Sequence, residues 1–241
     1  MLKKMVVALA GTAMVAVMLA SIPGAGAAPR TTAGSTYEPV LDPANFVSVI
    51  DNPYYPLPVG RVLTYKDEAR ATDTITVTNQ TKVLEGITTT VVTQQLVSLQ
   101  GKTLEQTTDW FAQDKQGNVW YMGEATKAYG PGGQVDTSGS WQAGVNDGEP
   151  GIVMEANPQI PDAYRQEFLK GQAEDTAWIT GRGGSLKIRY GTVHVVLTTL
   201  EHSVLEPDVV ELKQYAPGLG EVFAQDIAGA TGSSQLVKVT G

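Results

Sequence analysis

Two carboxylates sit beside tryptophans in the middle of the chain. Asp109 precedes Trp110, and Glu124 closes the run Gly117-Asn118-Val119-Trp120-Tyr121-Met122-Gly123-Glu124. Paired acids next to aromatic rings are the residue set of a glycosidase-like hydrolase, in which one carboxyl donates a proton while the other attacks or activates water. That chemistry needs both groups on one face. Gly117 suits the left-handed position of a three-residue turn, which pairs Asp114 with Asn118, Ala112 with Trp120, Trp110 with Met122 and Thr108 with Glu124. In that register Asp109 and Glu124 point to opposite faces, and a one-residue slip is needed to bring them together. A catalytic role for Asp109 and Glu124 therefore hangs on the register of one hairpin.

The same hairpin carries most of the aromatic side chains that could hold a ligand. One face presents Trp110, Ala112, Trp120 and Met122, and the other presents Asp109, Phe111, Val119 and Tyr121. Both faces are apolar, so both are covered or one of them lines a cavity. Aromatic side chains pin cores, but Trp110 or Trp120 together with Tyr121 and Trp141 also forms a candidate ligand-contacting set.

Other chemistry fails on spacing. Gly101-Lys102-Thr103 ends like a phosphate loop, yet the leading glycine would fall at Leu96, and no helix follows. His194 and His202, the only histidines, would lie about 26 Å apart on a continuous strand, too far to share a metal. Gly139-Ser140-Trp141 lacks the second glycine of a nucleophile elbow. Asp136, Asn146, Asp147, Glu149 and Asn157 offer oxygens but no calcium-loop spacing. Asn79-Gln80-Thr81 matches a glycosylation pattern inside a strand. No cofactor and no metal is expected.

The elements that must position these residues read as strands. Short β-branched runs at 61–66, 72–84, 87–99, 103–113, 119–124, 185–190, 192–200, 209–215, 221–226 and 235–240 alternate with Gly, Asp and Asn. Tight turns such as Glu85-Gly86 and Gln100-Gly101-Lys102 join them, so the expected fold is mainly β: a single twisted antiparallel meander sheet, or an open or half barrel. A turn at Tyr190-Gly191 pairs Ile188 with Val193 and Leu186 with Val195. Asn52-Pro53-Tyr54-Tyr55-Pro56-Leu57-Pro58-Val59-Gly60 is too rich in proline for a ladder and reads as an aromatic-anchored strap. Residues 125–163 show little period and form the long covering loop. Residues 162–170 alternate as a strand, although Asp162 could also cap a short helix.

Composition sets the compartment. Lys3 and Lys4, an apolar run and Pro23-Gly24-Ala25-Gly26-Ala27 make residues 1–27 a cleavable signal peptide, with 28–37 a flexible arm and 38–241 a single β domain. The chain is expected to be secreted, extracellular or periplasmic. It has no cysteine, which excludes disulfides and a lipid-bearing cysteine, so no membrane anchor remains after cleavage. Losing Lys3 and Lys4 takes the formal charge from −8 to −10, which repels nucleic acid. The expected partner is a small apolar ligand; oligomeric state is left open.

Seven segments together resemble a recurring family of secreted bacterial β proteins: Asn52-Pro53-Tyr54-Tyr55-Pro56-Leu57, Asp109-Trp110-Phe111-Ala112-Gln113-Asp114, Gly117 to Glu124, Trp141-Gln142-Ala143-Gly144, Pro150-Gly151-Ile152-Val153-Met154, Tyr164-Arg165-Gln166-Glu167-Phe168 and Tyr215-Ala216-Pro217-Gly218-Leu219-Gly220. The resemblance implies export and a β fold, and no catalytic residues. The tyrosine-glycine segment is also similar to curved-sheet proteins of the lipoprotein-carrier type, which implies an apolar ligand in a half-barrel, although no long helix is present to plug the sheet. The expected function is that of a non-enzymatic binding domain for an apolar or aromatic-stacking ligand. The alternatives are the hydrolase above and a structural cell-envelope protein in which every tryptophan is core.

Overall fold

The computed structural model describes residues 37–241. The expected signal peptide and nearly all of the arm lie outside the described residues. A short 3-10 turn (Pro43–Asn45) leads into β1 (Phe46–Val47). The strap follows, and then a meander of β2 (Val62–Asp67), β3 (Thr72–Leu84), β4 (Ile87–Val97), β5 (Thr103–Asp114) and β6 (Val119–Tyr129). β7 (Val135–Asp136), β8 (Trp141–Gln142) and β9 (Glu149–Met154) lie back along the free edge of β6 as one interrupted strand. Next come β10 (Ala163–Arg165), β11 (Glu167–Phe168), β12 (Asp175–Arg182) and the separate hairpin of β13 (Ser185–Lys187) and β14 (Thr192–His194). A second meander ends the chain: β15 (Leu197–Ser203), β16 (Val210–Ala216), β17 (Gly220–Ala228) and β18 (Ser233–Thr240).

This is the expected antiparallel β fold, curled until it is nearly a closed barrel. β18 pairs with β2, which joins the two meanders into one sheet. β10 pairs with β12 at one end of that sheet and β11 pairs with β9 at the other, with only Gln166 between β10 and β11. Residues 163–168 therefore bridge both edges and form the single seam. Gln166 donates its N–H to the Asp175 carbonyl at 2.8 Å, and any side chain at Gly151 would collide with the Gln166 backbone.

Closure turns one alternating face into a lumen. β3 buries Asp73, Ile75 and Val77, and β5 buries Glu105, Thr107, Asp109 and Phe111; between them Thr74, Thr76, Gln106 and Thr108 are less buried. One end of the lumen is apolar and is stoppered by the strap. Tyr55 lies 5.5 Å from Phe111 and 6.5 Å from Tyr215 by ring centroid. The Gln113 side chain accepts N–H bonds from Asp51 and Asn52, while the Asn52 amide donates to the carbonyls of Gly117 and Glu155. The other half of the lumen is polar and acidic.

Several local expectations change. The long covering loop is itself partly sheet: β6 runs on to Tyr129, and β7, β8 and β9 return beside it, bringing Trp141 onto Tyr121. In the β13–β14 hairpin Leu186 pairs with Val193 and Ile188 exchanges backbone bonds with Gly191, so the turn is Arg189-Tyr190. The run 192–200 is broken at Val195, whose φ of 55° takes it out of extended geometry.

Candidate functional site

The β5–β6 hairpin starts as its turn residues dictate. Asp114 accepts N–H bonds from Gly117 and Asn118, each 2.9 Å, and Ala112 pairs with Trp120. Then the register shifts. Phe111 faces Tyr121, but Asp109 faces Glu124, so β6 carries one more residue than β5 between these pairs. Gly123, at φ 130°, lies in this bulge. A β-carbon there would approach the Trp141 carbonyl to 2.6 Å and Gln142 Cα to 2.8 Å, so the missing side chain also lets β8 dock. The expected separation of Asp109 and Glu124 is overturned. They are cross-strand partners on the lumen face.

Glu167, from β11, adds its charge to theirs from further off. Asp109, Glu124 and Glu167 are 1 %, 5 % and 2 % exposed. Tyr121 donates its hydroxyl to Asp109 Oδ1 at 2.8 Å, but Asp109 Oδ2 and Glu167 Oε2 have no hydrogen-bond partner. The Trp141 indole N–H lies close enough to Glu167 to favour its charged form, without making a bond that satisfies hydrogen-bond geometry. Burial pushes the Asp109 carboxyl up to about 7, opposed by the Tyr121 hydrogen bond and reinforced by Glu105. Burial, followed by the charges of Asp109 and Glu167, raises Glu124 well above the carboxylate range. Burial and Asp175 do the same to Glu167. Desolvation dominates in all three, and the charge of Lys213, which favours ionised Glu167, does not offset it.

A second acidic group in the same lumen has its cation. Lys213 Nζ, from β16, is 2.7 Å from Glu201 and 3.3 Å from Glu211. Tyr215 and Thr199 hydroxyls donate to Glu201 Oε1, each at 3.0 Å. Burial pulls the Lys213 ammonium down, but the charges of Glu201 and Glu211 hold it well above its usual value.

The four nominated aromatic residues divide between two faces. Trp110 lies outside the lumen beneath the Lys82 ammonium, which is 3.3 Å from the ring centroid. Trp120 is also outside, its indole N–H donating to Asp114 at 2.9 Å and its ring against Phe46. Tyr121 and Trp141 face the lumen, 5.5 Å apart with ring planes at 83°, and Tyr121 stacks on Phe111 at 4.9 Å. A small ligand can meet only one of these pairs. His194 bonds Ser185 and His202 packs against Trp178. Among the described residues no group of three or more His, Cys, Asp or Glu side chains could hold a metal ion.

Sequence reasoning had no reason to select Glu167, Lys213, Glu201 or Glu211, since each reads as an ordinary polar strand position. Gly123 did carry a signal, because an isolated glycine within a strand run marks a bulge or a close backbone approach.

No family model matches the chain, and no curated protein matches it significantly. It is similar over 78 % of its length, and over 98 % of the other chain, to the crystal structure of a candidate lipoprotein from Parabacteroides distasonis ATCC 8503, with 10 % identity and a TM-score of 0.41. At that distance nothing about function follows.

Proposed function

We propose that this chain is an exported, non-enzymatic binding domain whose small ligand has an apolar or aromatic body and meets the lumen wall at Tyr121 and Trp141. The observation that carries this is the dry, aromatic lumen face of the β5–β6 hairpin, where Phe111, Tyr121 and Trp141 pack ring against ring. Tyr55 illustrates the kind of guest that suits this lumen, because the strap inserts its phenol ring between Phe111 and Tyr215. Trp110 and Trp120 serve packing on the other side. Titration with a panel of lipids, glycans and hydrophobic metabolites should shift tryptophan emission and melting temperature, and Trp141→Ala should remove the emission shift. A broad panel that moves neither quantity would leave only a structural envelope role, with every tryptophan in the core.

One observation favours a second reading, a secreted hydrolase. The bulge sets Asp109 opposite Glu124, and a carboxyl with its pKa near 7 holds a proton as a general acid must. Both groups are shielded from water, so binding stands ahead of catalysis. Release of a chromophore from aryl glycosides, lost in Asp109→Asn and in Glu124→Gln, would reverse that order.

A further inference from the structure

The charges of this acidic protein are unevenly placed. Asp73, Asp109, Glu124, Glu167, Glu201 and Glu221 are buried, so they add little to the outer surface. From Thr176 to Leu200 there is no Asp or Glu, yet Arg182, Lys187, Arg189 and His194 all fall in that stretch, which contains the β13–β14 hairpin. Alternation sorts the hairpin into two faces. Ile188 and Val193 are buried and Leu186 packs against the core, while Ser185, Lys187, Thr192 and His194 share the exposed face. Arg189 and Tyr190 form the turn, and Tyr190 is 43 % exposed.

The turn is fixed to the barrel wall beside further cations. Arg189 donates its backbone N–H to the Gln235 side chain at 2.9 Å, and Tyr190 donates its own to the Leu236 carbonyl at 3.1 Å. Gln235 is the cross-strand partner of Lys66, and the exposed Lys238 lies two residues beyond Leu236 on the same strand. Lys187, Arg189, Lys66 and Lys238 therefore collect around one rigid turn with Tyr190 in their midst, and among the described residues none of the four forms an ion pair. On the adjoining strands Asp67 is buried, and Glu68 accepts from the Ser233 hydroxyl. Glu206 and Asp208 lie past the far end of β15, about 20 Å from its start at Leu197, which is about two Debye lengths at 0.1 M salt. Their repulsion does not reach the hairpin.

We propose that this face docks the protein on an anionic phospholipid surface, with Lys187, Arg189, Lys66 and Lys238 among the lipid phosphates and Tyr190 at headgroup level. The cations supply the charge complementarity. The exposed phenol ring between them selects a bilayer over an anionic polymer, since a tyrosine at a membrane boundary keeps its hydroxyl in water while its ring leaves it. The contact is peripheral and reversible, and it is independent of the lumen.

Vesicle flotation of the full chain tests it, with vesicles of phosphatidylglycerol and phosphatidylcholine in equal parts set against phosphatidylcholine alone. Binding is expected to the anionic vesicles only, and to fall steeply as salt is raised to about 0.5 M, where the Debye length is a few ångströms. Lys187→Gln and Arg189→Gln should each weaken it roughly five-fold and together roughly 25-fold, the loss of one surface cation apiece. Neither should change the melting temperature, since neither side chain is in an ion pair. Tyr190→Ala should weaken binding several-fold without altering its salt dependence. No binding to the anionic vesicles, equal binding to both kinds, or full binding by the double variant overturns the proposal. Retention on immobilised polyphosphate without vesicle binding overturns it in favour of a polyanion.

Discussion

The two acidic groups of the lumen differ in their cation: Lys213 forms ion pairs with Glu201 and Glu211 in one, whereas in the other its charge only weakly favours ionised Glu167. Nζ reaches the buried Glu201 at 2.7 Å and the half-buried Glu211 at 3.3 Å, and Glu201 is tied further to the hydroxyls of Thr199 and Tyr215. Among the described residues Asp109, Glu124 and Glu167 have no ion-pair partner, and burial holds protons on them instead. A buried ion pair adds little net stability, but half of one is strongly unfavourable, so the two groups should respond to substitution with opposite signs.

The largest effect is expected for Lys213→Met, which strands Glu201 and Glu211. Chemical denaturation at pH 7 should show a loss of about 3–5 kcal/mol. A loss below about 1 kcal/mol would mean that water reaches this network. Next is Gly123→Ala, which forces a side chain into the bulge at positive φ and into the Trp141 backbone. A loss of about 2–4 kcal/mol is expected, together with a changed Trp141 emission as β8 is displaced. Unaltered stability and emission would show that the bulge is not needed to set Asp109 opposite Glu124.

Asp109→Asn should act in the other direction. At pH 8 the native carboxyl is ionised without a cation, so the neutral amide is expected to stabilise the fold by about 1–3 kcal/mol, and the gain should vanish near pH 4. Destabilisation at both pH values would place a hidden cation beside Asp109. Tyr121→Phe, which deletes the one hydrogen bond to Asp109, should cost only about 1 kcal/mol, read as a small fall in melting temperature at pH 7.

The pH dependence of the whole protein follows the same sign. An acid whose folded pKa is raised keeps a proton that the unfolded chain has lost. Its contribution to stability is therefore full below the ordinary carboxylate value, declines as pH rises towards the folded pKa, and is constant above it. For Asp109 that window runs from 3.8 to about 7, and the raised Glu124 and Glu167 move stability in the same direction. Melting temperature should fall between pH 4 and pH 7; a rise across that interval would mean that paired carboxylates dominate instead.

Much of this architecture was legible because local signals agreed with the fold. Glu85-Gly86 fixed one hairpin, with Leu84 opposite Ile87, and Gly117 with Asp114 fixed the start of another. The tyrosines of the strap read as anchors, and Tyr55 is one. Two kinds of feature were hidden. Val195 turns at φ 55°, where a β-branched residue gives no warning, and it splits a run that looks continuous. More consequentially, Glu105, Glu124, Glu167 and Glu201 occupy the polar positions of alternating strands, which in an open sheet would face water. Only closure through residues 163–168 turns that face inward, and closure is a property of the whole chain that no single strand announces. Even so, Gly123 marked the place where the acid pair would form.

The most direct test is a pH titration of the Asp109 side-chain carboxyl by carbon-13 NMR, assigned by loss of the signal in Asp109→Asn. A midpoint near 7 is the expected result. A midpoint near 4 would show that the group is solvated or already paired, and the contrast between the two acidic groups would be gone.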